Sequence, residues 1–178
     1  GNFVCDLLAK ENMVVGCVAF SNWRTDNDVC RMMQHPVHMA GSDGIYVGGR
    51  PHPRGYGTFA RYLGVYVREQ NVLRLEEMIR HMTSAPAQRF HLTDRGLLRE
   101  GFAADVVIFD PLTIAARATY EDGKQTAVGV THVFVNGEAV LLDGTPTGAR
   151  AGRGLKRASP PDPFSRKKTA VLRRRGVE

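Results

Sequence analysis

The sequence predicts an α/β architecture that passes into a β segment and ends in a basic tail. Three observations predict it. Helical and strand-like periods alternate up to about residue 44; an Asn-Gly pair separates two apolar runs at Asn136-Gly137; and the excess positive charge is confined to residues 151–178. Asn2 to Lys10 places Phe3, Leu7 and Leu8 at helical spacing, and Met13 to Phe20 follows as an unbroken apolar run. Such a run suits a strand buried on both faces, as in a parallel sheet. Thr25-Asp26-Asn27-Asp28 then reads as a capping-box start, because an early carboxylate can satisfy free backbone amides, and Val29, Met32 and Met33 share one helical face. Pro36 stops that helix, and Val37 to Ala40 is a second short apolar stretch ending in Gly41-Ser42-Asp43-Gly44.

Helix, strand, helix, strand with short connections is what a parallel α/β sheet or barrel requires. From Thr58, a plausible cap, the residues Phe59, Tyr62, Leu63, Tyr66 and Val67 form a helical stripe. A further helix carries Leu75, Met78, Ile79 and Met82, and Pro86 either ends it or opens another turn. After Gly101 the period shortens, and Ala104 to Phe109 is strand-like. His132 to Val135 and Glu138 to Leu141 flank Asn136-Gly137, the pair that best tolerates the two positive φ values of a type I′ hairpin. Two βα units leave strand edges and apolar surface uncovered, so further structure is expected upstream.

Charge and cysteines narrow the function classes. The net charge is +6, yet residues 1–150 hold 15 Lys or Arg against 16 Asp or Glu, while residues 151–178 hold 9 against 2. The basic excess is a property of the tail, whose Pro, Gly and Ser read as a solvated extension rather than a nucleic-acid interface. Cys5, Cys17 and Cys30 show no zinc-ribbon pairing, which points to a reducing, cytoplasmic setting. Cys17 belongs to the apolar strand and reads as core. No apolar run approaches the length of a membrane span.

The chemistry concentrates in Gly41-Ser42-Asp43-Gly44 and in Gly49-Arg50-Pro51-His52-Pro53-Arg54-Gly55-Tyr56-Gly57-Thr58-Phe59. An aspartate just past a buried strand sits where α/β barrels place catalytic groups, although Asp-Gly is also a common turn pair. Arg54 offers a guanidinium fork for a carboxylate, or a surface salt bridge. The six histidines, His35, His38, His52, His81, His91 and His132, form neither H-x-H nor H-E-x-x-H. The rings of His35 and His38 span a helix end and a strand start and need not converge. His81 reads as a surface or packing residue of its helix.

Taken in order and spacing, GSDG, RPHPRGYGTF, RYLGVYVRE, MTSAPAQRF and DRGLLREGFAADVVIFDP resemble the C-terminal third of N-acyl-D-amino-acid deacylases, of the amidohydrolase superfamily. The resemblance implies the last two units of a metal-dependent (β/α)8 barrel over residues 1–102, with Val14 to Phe20 as its seventh strand and Val37 to Ser42 as its eighth. It implies strands of a small β-domain over residues 103–150, and leaves 151–178 as a flexible tail. Asp43 would be the catalytic general base and a metal ligand; Arg54 would hold the α-carboxylate of an N-acyl-D-amino acid, with Ser42 and His52 beside it. Zinc is the implied cofactor of the complete enzyme, and its principal ligands are expected outside this chain. A separately made N-terminal barrel fragment is therefore an expected partner, and an inactive remnant is the competing expectation. At His91 the family more often has glycine.

Overall fold

The computed structural model describes residues 2–12, 25–46 and 48–156. α1 (Asn2–Lys10) forms as the spacing predicts, but its apolar side chains stay outside the core, Phe3 being 77% exposed. The predicted strand Met13–Phe20, with Cys17, lies outside the described residues. α2 (Asp26–Met33) starts on the expected capping box: the Thr25 hydroxyl accepts from the Asp28 amide, and the Asp28 carboxylate accepts from the Thr25 amide at 3.0 Å. Met33 turns inward from this helix and is buried.

Residues 38–46 run without a ladder partner among the described residues, so the expected strand Val37–Ser42 is not drawn as one. A strand is defined by its neighbour, and the neighbour the sequence offers, residues 13–20, is not described. The segment is instead fastened sideways, the Ala40 amide donating to the His81 carbonyl at 3.0 Å.

α3 (Arg54–Arg61) begins earlier than Thr58, which is not its cap. Pro53, at φ −58°, already has the helical torsion, and the Arg54 amide donates to the His52 ring, so the first turn forms at the proline. The helix then widens into a π-helical segment, Tyr62–Glu69, where one uniform α-helix was expected. Neighbouring chain is pressed against this segment: a Cβ on Gly64 would stand 2.7 Å from the Ile114 carbonyl oxygen, and Arg68 donates to that same oxygen at 2.6 Å. α4 (Leu75–Met82) and α5 (Ser84–Arg89) follow, with Pro86 in the first turn of α5 rather than closing α4. His91 ends α5 at φ +57°, and the Leu92 amide reaches back to the Ala87 carbonyl. That is the left-handed exit glycine favours, which accounts for the glycine expected there.

The β segment is an antiparallel meander in the order β1 (Val106–Phe109), β2 (Val130–Val135), β3 (Glu138–Leu142), β4 (Thr145–Pro146). The Asn136-Gly137 hairpin is present, with Val135 opposite Glu138 and both turn residues at positive φ, 51° and 84°. Asp143-Gly144 repeats the device between β3 and β4, at 48° and 73°. No strand residue is buried; the core lies among the helices, where Met33, Ala60, Leu63, Tyr66 and Met78 close around Ile114 from the loop after β1. Among the described residues no helix is long and apolar enough to cross a membrane.

Candidate active site

Asp43 lies at the end of the segment fastened to α4, and its own backbone is left-handed at φ +47°. An aspartate tolerates this region better than most residues. The Gly44 amide donates to the Ser42 hydroxyl at 3.2 Å, closing a small turn that turns the Asp43 carboxylate outward, 84% exposed. Ser42 therefore shapes the turn. Gly44 is needed for a different reason: a Cβ there would meet the Cα of Gly55 at 3.0 Å. The Tyr46 hydroxyl, donating to the Gly55 carbonyl at 3.0 Å, holds the loop against the first turn of α3.

That first turn presents Arg54. Its Nη2 stands 3.0 Å from Asp43 Oδ2, so two residues eleven positions apart in sequence form one ion pair at the mouth of the loop. The Arg54 side chain is about two-thirds covered, and its Nε is buried without a hydrogen-bond partner. His52 accepts the Arg54 amide on Nδ1 at 3.0 Å, and its ring meets the edge of Tyr120 with centroids 5.1 Å apart. With Nδ1 accepting, a neutral His52 carries its proton on Nε2. Burial, followed by the charge of Arg54, lowers its pKa, while Asp43 opposes them. Close contact also fixes the far side, because a Cβ on Gly123 would stand 2.1 Å from the Pro51 carbonyl oxygen.

The structure thus brings Asp43, Arg54, Ser42 and His52 together. Sequence reasoning missed Tyr46, Tyr56 and Tyr120, which surround them; Tyr46 and Tyr56 pack edge to face at 5.6 Å. For Tyr46 and Tyr56 the signal was aromatic residues interleaved with Gly and Pro in the same stretch; Tyr120 comes from a distant loop and left none. Of the two readings of His81, surface or packing, the structure bears out packing: its side chain is fully buried between Glu77 and His38. The four-residue spacing of Glu77 and His81 could have shown that contact.

The donor set does not fit a zinc ion. Among the described residues no group of three or more His, Cys, Asp or Glu side chains is placed to hold a metal, and Asp43 offers a single carboxylate already paired with Arg54. A structural zinc site needs four ligands, and a catalytic one three.

Residues 3–141 match the model of the amidohydrolase family, and the chain belongs to that family. Within it, the chain is related to deacylases of N-acyl-D-amino acids. It is 43% identical over 155 residues to N-acyl-D-glutamate deacylase of Alcaligenes xylosoxydans xylosoxydans, covering 86% of this chain and 31% of that protein. It is 46% identical over 129 residues to N-acyl-D-aspartate deacylase of the same organism, covering 72% and 26%. Among solved structures it superposes on a D-aminoacylase with a TM-score of 0.72 at 44% identity, covering 75% of this chain and 28% of that one. A second match is N-acyl-D-glutamate deacylase from Bordetella bronchiseptica, complexed with zinc and a phosphonate mimic of the tetrahedral intermediate: TM-score 0.64, 45% identity, 68% and 27% covered. The chain spans less than a third of the length of these relatives.

Proposed function

We propose that this chain supplies the proton-transfer and substrate-anchoring side of a hydrolase that cleaves N-acyl-D-amino acids to a carboxylate and a D-amino acid. One observation carries the reading: the Asp43–Arg54 ion pair, which puts a carboxylate and a carboxylate-binding cation 3.0 Å apart on an open face. In the free protein each neutralises the other. A substrate α-carboxylate competes for the guanidinium of Arg54 and releases Asp43, so binding and activation of the base become one event. Asp43 then takes a proton from the attacking water as its oxygen bonds to the acyl carbon, and returns that proton to the amine nitrogen as the C–N bond breaks. His52 holds the α3 amide that sets Arg54, and Ser42 holds the turn that sets Asp43.

Zinc as the cofactor of the complete enzyme is supported by the zinc complex of the Bordetella relative. The described residues do not form its site, so its ligands are assigned to barrel strands that these residues do not include. In this reading residues 1–102 belong to the barrel, 103–150 to a small β-domain and 151–178 to a tail, in a cytoplasmic enzyme. The 178-residue chain alone is expected to be inactive, and complementation by an N-terminal barrel fragment is the corresponding partner proposal.

The test is a chimera in which this chain replaces the matching C-terminal part of the Alcaligenes N-acyl-D-glutamate deacylase. Hydrolysis of N-acetyl-D-amino acids, with L-isomers as control, should be restored. Asp43→Asn should then lower kcat by about a hundredfold or more, the scale of a lost general base. An active chimera indifferent to that substitution would refute the assignment of Asp43.

A further inference from the structure

The segment that carries Asp43 has no ladder partner among the described residues, yet it is held in place by a partly buried polar chain, centred on His81, that the proposed reaction does not use. His81, on α4, is fully buried. Its Nε2 is 3.0 Å from Glu77 Oε1, and its Nδ1 is 3.1 Å from Nδ1 of His38, five residues before Asp43. Behind it Arg80 donates to Glu77 at 2.6 Å through Nη2, and the same nitrogen reaches the Pro36 carbonyl at 3.2 Å. The His81 carbonyl accepts the Ala40 amide, and the ring of Tyr62, from the π-helical segment, meets His38 edge-on at 6.1 Å.

These contacts point to one placement of the ring protons. The hydrogen bond from Arg80 keeps Glu77 ionised, with its pKa down to about 2, so its carboxylate can only accept and His81 Nε2 must carry a proton. Arg80 already balances the charge of Glu77. In a neutral ring, a proton on Nε2 leaves the Nδ1 of His81 bare. His38 must then donate from Nδ1. Burial and the neighbouring His81 also keep His38 neutral by lowering its pKa.

We propose that His81 is a positioning residue for Asp43: backed by Glu77 and Arg80, it holds His38 as an Nδ1–H donor, and with its carbonyl on Ala40 it sets the segment that presents Asp43 to Arg54. The proposal rests on the role given to Asp43 above, and adds the device that places it.

The test uses the full 178-residue chain labelled with nitrogen-15. The ring nitrogens of His38 and His81 report their tautomers directly by NMR; Nδ1–H on His38 with Nε2–H on His81 is the expected result. The reverse pattern, or a doubly protonated His81 at neutral pH, overturns the proposal. His38→Leu should raise amide exchange at Ala40 about tenfold, the scale of one lost net hydrogen bond, while exchange in α4 holds. His38→Gln, whose amide can still donate to His81, should restore the protection; equal behaviour of the two variants overturns the proposal by showing that packing alone holds the segment. In the chimera, His38→Leu should reduce kcat about tenfold with little change in KM, and His38→Gln should recover it. Expected tautomers with an inactive chimera would sink the deacylase reading alone, whereas an active chimera with the other tautomers would sink only this proposal.

Discussion

Asp43 and Arg54 reach each other because two short turns converge. One is closed by Ser42 and the other by His52, whose ring also rests on Tyr120 from the loop between β1 and β2. Arg54→Lys keeps the charge but loses the planar fork, so the chimera should show KM raised about tenfold or more with a smaller change in kcat. Steady-state kinetics on N-acetyl-D-glutamate would check this. His38 and Glu77 give the same neighbourhood a pH dependence. The His38 ring is pushed below its ordinary 6.5, first by burial and then by His81, so the unfolded chain binds this proton more readily than the folded one. Its contribution to stability is present above pH 6.5 and is lost as pH falls through the folded value. Glu77, lowered from 4.5 to about 2 mainly by the Arg80 hydrogen bond, adds a second loss between those values. Urea midpoints measured downward from neutral pH should fall in both windows, and His38→Gln should remove a share of the first while leaving the second.

At the scale of elements, the π-helical segment Tyr62–Glu69 is where sequence and structure part most. The apolar stripe Phe59, Tyr62, Leu63, Tyr66, Val67 is a sound helical signal, and Leu63 and Tyr66 are indeed core residues. What periodicity does not carry is the backbone pressed against Gly64, since the close approach of Ile114 comes from a loop fifty residues further on. Gly64→Ala should destabilise the chain by about 1–3 kcal/mol, because the new methyl meets a backbone oxygen that also accepts Arg68. Denaturant unfolding gives that value. Capping chemistry was legible because it is local: Thr25 and Asp28 are three residues apart, and Asn136-Gly137 is one dipeptide. The onset of α3 was not, because the side chain that accepts its first free amide, His52, precedes the helix and is not a usual cap.

For the whole molecule, the helical part and the β-meander meet at Ile114. It is 2% exposed and packs with Met33, Leu63 and Met78, while its neighbour Ala115 bridges to Val128 at the approach to β2. A second tie is Arg95, buried between Asp105 and Asn136, with Asn136 in turn donating to the Ala151 carbonyl at 2.7 Å. Ile114→Ala should therefore cost about 2–5 kcal/mol and loosen both parts together, which amide exchange in α4 and β2 would register at once. If only the strands loosened, Ile114 would not be the joint.

By itself the sequence determined the helices with strong local periods, the Asn-Gly hairpin, the confinement of basic charge to the tail, and the family pattern that singled out Asp43 and Arg54. The helices and the hairpin are written in residues a few positions apart, where torsional preference and spacing act without distant partners, and the family pattern and the charge bias are read along the chain without knowing which segments meet. Only the tertiary structure decided that Asp43 and Arg54 form an ion pair, that His81 is buried against His38 across forty-three positions, and that Ile114 sits in a helical core. Those facts depend on which surfaces meet, and burial and electrostatic pairing belong to the meeting of segments rather than to any one of them.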